Sequence, residues 1–285
     1  MGDRGAESLI PLLCPEMCLE KVDPMFAPLT SQSAHLRVNA HPRIRQSLVW
    51  FFDLDNTLHH ATPEIFPLIN QMMTAYVADK LQLSTEAAHA LRQQYWERYG
   101  ATLLGMIRHH AIDPHEFLRA SHDFADLPGL IRAERGLRHL FTQLPGQKRL
   151  LTNAPHAYAQ RILQHIGLRW QLGRSYAVEH MRLHGHYRPK PSRSMLRALI
   201  AREGVAAQRC VLIDDDLDNL RAARAVGMRT VWVSGWLARD NSVTRNHSQR
   251  KLRKQFGYRY KPQWCNVQVK SVRALPRHLA KLAVR

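Results

Sequence analysis

The sequence predicts an α/β protein with a parallel sheet and an inserted all-helical segment. Strand-length apolar runs alternate with helices of ten or so residues over its second half, as in a doubly wound fold. The first such run, Leu48-Val-Trp-Phe-Phe, stops at two carboxylates one residue apart, Asp53 and Asp55, as a buried strand does at its C-terminal edge. Between that strand and the next, about 70 residues read almost wholly as helix.

In order along the chain, residues 1–46 hold five prolines and no sustained period, and they read as a poorly ordered leader. Strand one follows. Pro63 can open a helix at its first turn, and Ile65, Leu68, Ile69, Met72, Met73, Tyr76 and Val77 recur at helical spacing. Ser84 supplies an N-cap for a second helix that runs to a stop at Gly100, and shorter helical pieces cover 103–110 and 114–121. Residues 60–130 are therefore expected to form a helical cap over the carboxyl edge of the sheet, placed to act as a lid. A helix over 133–144 precedes the strand Lys148-Arg-Leu-Leu, which ends at Thr152 and Asn153. Helices after Pro155 and Ser192, the strand Cys210-Val-Leu-Ile ending at Asp214, Asp215 and Asp216, a helix to Val226 and the strand Arg229–Val233 complete a core of 47–59 and 131–236.

Residues 237–285 read as a basic extension. From 241 onward there are twelve Lys or Arg and no acidic residue, so two thirds of the formal net charge of +18 lies in the last 45 residues. The run Arg250-Lys-Leu-Arg-Lys254, with Phe256, Tyr258 and Tyr260 after it, suits a phosphate backbone, so a nucleic-acid partner bound through this arm is an alternative function. No helix-turn-helix, zinc-finger or RNA-binding signature accompanies it. The composition, 45% hydrophobic, supports a sizeable core. No apolar run reaches membrane-spanning length and no cationic-then-apolar leader opens the chain, so no membrane partner and a cytoplasmic location are expected. Cys14, Cys18, Cys210 and Cys265 form no C-x-x-C pair and read as reduced thiols.

In an open parallel sheet, ligands collect beyond the carboxyl ends of the strands. Asp53 and Asp55 can leave that edge on one side while Leu54 anchors the turn. Ionised together they repel, so either one keeps a proton or a cation sits between them. Thr152 and Asn153 bring a hydroxyl and an amide suited to oxyanions, Lys190 a cation, and Asp214, Asp215 and Asp216 further carboxylates. The 17 histidines offer no further ligands at structural-zinc spacing, and the carboxylates suit Mg²⁺ better.

These residues give the chain its resemblance to the haloacid dehalogenase (HAD) superfamily. Phe51-Phe-Asp53-Leu-Asp55-Asn-Thr57, Leu150-Leu-Thr152-Asn153, Lys190 and Val211-Leu-Ile-Asp214-Asp215 match its four motifs. Within it the chain is similar to the pyrimidine 5'-nucleotidases, through Asp53-Leu-Asp-Asn-Thr-Leu58, Tyr99-Gly-Ala-Thr-Leu-Leu-Gly-Met106, Thr152-Asn-Ala-Pro155, Lys190-Pro-Ser192 and Asp214-Asp-Asp-Leu-Asp-Asn219. The likeness covers 47–236 and resumes at Val267–Leu275. It implies a HAD-like Rossmannoid core and a Mg²⁺-dependent phosphatase for nucleoside 5'-monophosphates. Asp53 would be the nucleophile and Asp55 the acid and base. Thr152, Asn153 and Lys190 would hold the phosphate, and Asp53, the Asp55 carbonyl and Asp215 the metal, with Asp214 acting through water. His59 stands where a tyrosine is expected and Asp216 where a serine is, which leaves the direct ligand open between Asp214 and Asp215. In the cap, Arg92, Tyr95, Tyr99 and Thr102 are candidates for base or ribose contact. The catalytic edge is blind to what lies beyond the phosphoryl group, so phosphoglycolate or a sugar phosphate is the alternative substrate.

Overall fold

A computed structural model describes residues 48–236 and 261–282. Six parallel strands form one sheet: β1 (Val49–Phe52), β2 (Gln147–Leu151), β3 (Arg174–Tyr176), then, after a two-stranded hairpin of β4 (Arg182–Leu183) and β5 (His186–Tyr187), β6 (Cys210–Asp214), β7 (Arg229–Val233) and β8 (Val267–Val269). The spatial order is β3-β2-β1-β6-β7-β8. The order reverses between β1 and β6, and Rossmann-like sheets open a crevice at such a reversal.

The alternation of β1 explains its burial. Trp50 and Phe52 enter one hydrophobic cluster, and Val49 and Phe51 enter the cluster on the opposite face. All four are fully buried. The first face is covered by α6 (Leu137–Gln143) and α7 (His156–His165), numbered after the helices of the insertion described below. The other is covered by α8 (Arg193–Glu203) and α9 (Leu217–Ala225). With both faces covered, every sheet residue of β1 is apolar, and polar groups are confined to the strand ends.

Between β1 and β2 lies the helical insertion: α1 (Ile65–Leu81), α2 (Thr85–Tyr99), α3 (Thr102–His110), α4 (Pro114–His122) and the single turn α5 (Leu127–Leu130). Ser84 Oγ accepts from Ala87 N at 3.2 Å and Gly100 closes α2 in the left-handed region, the expected start and stop. The insertion has its own core, including Val77, Ala88, Leu103, Met106, Phe117 and Leu118, to which Val178 and Tyr187 of the main body add. Its two links run side by side, with His60 N donating to Arg132 O at 2.7 Å and His59 bridged to Ala133.

Two expectations change. The helix expected over 133–144 spans only Leu137–Gln143, because Gly136 takes φ 82° and caps it there. The extension expected from 237 rejoins the fold: β8 pairs in parallel with β7, Val267 and Val269 are buried, and Val272, Leu275 and Leu282 pack on the first face. Lys261, Lys270, Arg273, Arg277 and Lys281 stay on its solvent side. The leader and the basic run Arg250–Lys254 lie outside the described residues. Among the described residues no helix is long and apolar enough to cross a membrane.

Gly146, in the turn before β2, has φ 83°, and a Cβ there would lie 2.2 Å from the backbone oxygen of Leu48. A left-handed alanine costs roughly 1–2 kcal/mol before any clash is relieved. Gly146→Ala should therefore lose about 3 kcal/mol of unfolding free energy in urea, against about 1–2 kcal/mol for Gly185→Ala, a control left-handed glycine with open space around it.

Candidate active site

The site lies at the reversal point, where β1 and β6 end side by side. Asp53 follows β1 directly, its N–H still donating to Ile213 O of β6 at 2.9 Å. The chain then turns through Thr57 N and Leu58 N, both donating to Leu54 O. Asn56 takes φ 57° at the centre of this loop, a conformation asparagine tolerates. Its carboxamide oxygen accepts from Ala61 N and Thr62 N at 3.0 and 3.2 Å, and its Nδ2 donates to Thr62 Oγ1 at 2.7 Å and toward Asp215 Oδ2 at 3.4 Å. One buried side chain thus ties the loop after β1 to the end of β6.

Lys190 is the electrostatic centre. Its ammonium, 1% exposed, donates to Asp53 Oδ1 at 2.7 Å and to Asp214 Oδ2 at 2.8 Å. Burial works against its charge, but Asp214 and Asp53 outweigh that and hold its pKa above the ordinary lysine value. Asp53 shows the opposite balance: burial raises its pKa to about 7 although Lys190 favours the anion, and Asp214 and Asp55 add repulsion. Thr57 Oγ1 donates to Asp53 Oδ2 at 3.3 Å. Asp214 Oδ1 accepts from Asp216 N at 2.8 Å and from Asn219 Nδ2 at 3.1 Å. Asp216 itself caps α9 through Asp218 N, so the third acid of the run serves the helix start.

Thr152 and Asn153 reach the same edge from β2. Thr152 is buried and its Oγ1 accepts from Ala154 N at 3.0 Å. Asn153 bonds reciprocally to Lys190, Nδ2 to its carbonyl and Oδ1 from its N–H, both at 2.9 Å. Both ends of that amide orient Lys190, a role not anticipated from its residue type.

Carboxylate oxygens of Asp53, Asp214 and Asp215 lie within 4.8 Å of one another, all three residues buried. Such a set of hard oxygen donors fits Mg²⁺, and so does the elevated pKa of Asp53, since a cation would relieve the repulsion that burial sharpens.

Asp55 stands apart, its side chain 15% exposed. Tyr158 Oη donates to its Oδ1 at 2.7 Å, and His59 Nε2 lies 3.0 Å from the same oxygen. Tyr158 did not stand out in the sequence, where it reads as a core residue of an amphipathic helix, and Asn56 carried a signal only as part of the first motif. Asn219 carried a signal only as the end of the Asp214–Asn219 motif.

The cap candidates sit otherwise than expected. Arg92 is buried, with Nε donating to Thr74 Oγ1 at 3.1 Å and Nη1 to Asn70 Oδ1 at 2.9 Å; Thr102 donates to Arg92 O. Tyr95 is 7% exposed and its hydroxyl bonds His110 Nε2 at 2.7 Å. These three hold α1, α2 and α3 together, as residues at helical spacing do. Tyr99 is half-buried against His109.

Two measurements test these electrostatics. Lys190→Met should lose about 3 kcal/mol of stability without metal, because two buried carboxylates lose their partner, and added Mg²⁺ should recover part of it in thermal melts. His122, near Asp55, has its pKa lowered to about 4, first by burial, with Asp55 acting in the other direction. The unfolded chain takes up that proton near pH 6.5 and the folded one only near 4, so His122 costs stability as pH falls through that window. In His122→Gln the drop in unfolding free energy between pH 7 and 4.5 should shrink by on the order of 2 kcal/mol, allowing for the ring's partial exposure.

The family model of the haloacid dehalogenase-like hydrolases matches residues 49–227, which contain every residue of this site. The chain is 24% identical over 216 residues to phosphate metabolism protein 8 of Saccharomyces cerevisiae, covering 71% of this chain and 67% of that protein. It is 35% identical over 80 residues to the fructose-1-phosphate phosphatase YqaB of Escherichia coli, covering 28% of this chain and 40% of that one. Among solved structures, a HAD phosphatase from Thermococcus onnurineus superimposes with a TM-score of 0.51 at 16% identity, over 83% of this chain and all of that one. A haloacid dehalogenase-like hydrolase from Burkholderia xenovorans does so with a TM-score of 0.52 at 19% identity, over 83% and 98%. The two structures share the fold, and the family match extends to the motif residues: the chain belongs to the haloacid dehalogenase-like hydrolases.

Proposed function

We propose that the protein hydrolyses nucleoside 5'-monophosphates, pyrimidine nucleotides before purine ones, through a phosphorylated Asp53. The observation that carries the phosphatase part is Asp55. A second carboxyl beside the nucleophile, still reached by solvent, is what a phosphate ester needs and a carbon–halogen bond does not, because an ester's leaving oxygen must take a proton.

An Asp53 oxygen bonds to phosphorus as the ester P–O bond breaks, and Asp55 gives its proton to the leaving oxygen. Water then attacks the phosphorus of the aspartyl phosphate while Asp55 takes the water's proton, which frees phosphate and restores both carboxyls. Lys190 and the Thr152 hydroxyl hold phosphoryl oxygens, with Asn153 orienting Lys190. Asp53, Asp215 and the Asp55 carbonyl would hold Mg²⁺. Asp214 is assigned the indirect role because Lys190, Asp216 N and Asn219 already engage its carboxylate. When bound, the ion supplies positive charge that offsets the repulsion between nucleophile and phosphate.

Support for a nucleotide comes from the resemblance of Tyr99–Met106 and Asp214–Asn219 to the pyrimidine nucleotidases. A second reading, a phosphatase for a sugar phosphate or another small ester such as phosphoglycolate, draws on the 35% identity to a fructose-1-phosphate phosphatase. Phosphate release with Mg²⁺ from UMP, CMP, dTMP, AMP, GMP, fructose 1-phosphate and phosphoglycolate separates the two. The expected result is kcat/KM at least about tenfold higher for UMP and CMP than for the others, with Asp53→Asn at least about a thousandfold slower. A best substrate outside the pyrimidine nucleotides removes the nucleotide assignment, and an active Asp53→Asn removes the covalent route.

A further inference from the structure

The carboxyl of Asp55 is gripped by two side chains outside the phosphoryl-transfer set. Tyr158, from α7, donates to Oδ1 at 2.7 Å across 103 residues of sequence. His59 reaches the same oxygen at 3.0 Å. Both are buried, at 1% and 0% exposure, behind a carboxyl that keeps 15% of its own. The contact with Asp55 is the His59 ring's one hydrogen bond among the described residues, its Nδ1 having none. Burying the ring's polar atoms has a cost, which the bond to Asp55 partly offsets.

Two bonds to one oxygen fix the rotation of a carboxyl and with it the direction of the other oxygen. The Tyr158 ring is itself fixed by His122, edge-on at 5.3 Å, and by Phe124 at 6.1 Å. His122 ends α4, and Phe124 opens the segment that leads from the insertion back to the sheet. Tyr158 therefore stands between the end of the cap helices and the proposed proton donor.

We infer that Tyr158, with His59, is a positioning residue: it aims the Asp55 carboxyl at the leaving oxygen and ties that aim to the cap segment His122–Phe124. This rests on the phosphatase reading above. Aiming matters only where the departing oxygen needs a proton. The alkoxide of a nucleoside or sugar is strongly basic and needs one as the P–O bond breaks, whereas p-nitrophenolate departs as a stable anion.

The test compares kcat/KM, which reports the steps up to phosphorylation of Asp53, for the best alkyl phosphate of the panel and for p-nitrophenyl phosphate. Tyr158→Phe keeps the ring and removes the hydroxyl. The expected result is a fall of at least about tenfold in the alkyl-to-aryl ratio, general acid catalysis being worth about 10²–10⁴-fold in all. His59→Gln, which can still offer an N–H to Asp55, should keep more of that ratio than His59→Leu. Equal losses on both substrates, or no loss on either, would overturn the inference, and an unfolded Tyr158→Phe variant, seen as lost aryl turnover with a collapsed melt, would do the same by making the hydroxyl structural. Wild-type protein that hydrolyses neither substrate would instead remove the phosphatase reading, and the inference with it.

Discussion

Everything at the active edge depends on one ammonium among carboxylates. Asp53, Asp214 and Asp215 are brought together by the ends of two adjacent parallel strands, and Lys190 bridges the first two at 2.7 and 2.8 Å. Nothing in a folding chain favours three buried acids in one place; a dry environment sharpens their repulsion, and it lifts Asp53 to a pKa of about 7. The arrangement persists because its surroundings overdetermine it. Asn153 clamps the backbone of Lys190 from β2, Asn219 and Asp216 N hold Asp214, and Asn56 ties the loop after β1 to Asp215. Such pre-set electrostatics are what phosphoryl transfer demands, since little covalent work falls to the protein beyond the nucleophile.

The sheet makes this crowding affordable by segregation. β1 is apolar along its whole length and β6 until its last residue, so the core is finished before the chemistry begins. That division is also why the active edge could be read from the sequence. Asp53, Asp55, Thr152 and the Asp214–Asp216 run each sit one to three positions beyond an apolar stretch, and a strand's direction dictates where such residues emerge. Strand existence and order of appearance were legible for the same reason.

Other features were illegible for physical reasons. The helix after 133 begins late because one glycine adopts a left-handed turn, and nothing in the hydrophobic period marks which glycine will. The last strand, Val267–Val269, is three residues long, and its basic neighbours dominate the composition while its two valines carry the burial. Asn153 looked like a phosphate ligand by residue type, yet its amide is matched to a backbone that lies 37 positions away. Arg92 is the sharpest case. A cation among helical aromatics invites a substrate, but its hydrogen bonds go to Thr74 and Asn70 of the adjacent helix. Single-sequence reading registers which groups are polar; it does not register which polar groups satisfy one another.

The insertion packs on the core along several elements, and two of its connections lead to Asp55. His59 and His60 pair with Arg132 and Ala133, so the outgoing and returning links form a single two-stranded connection starting four residues after Asp55. The return segment presses His122 and Phe124 on Tyr158, which holds Asp55. A shift of the insertion therefore reaches the proposed acid and base by two routes, one along the backbone and one through packed rings, whereas Asp53, Lys190 and Asp214 are anchored wholly within the core. The geometry separates the two carboxyls of the first motif by mechanical dependence as well as by environment. Asp53, the proposed nucleophile, is tied to the sheet, and Asp55, the proposed proton donor, is tied through Tyr158 to the end of the insertion.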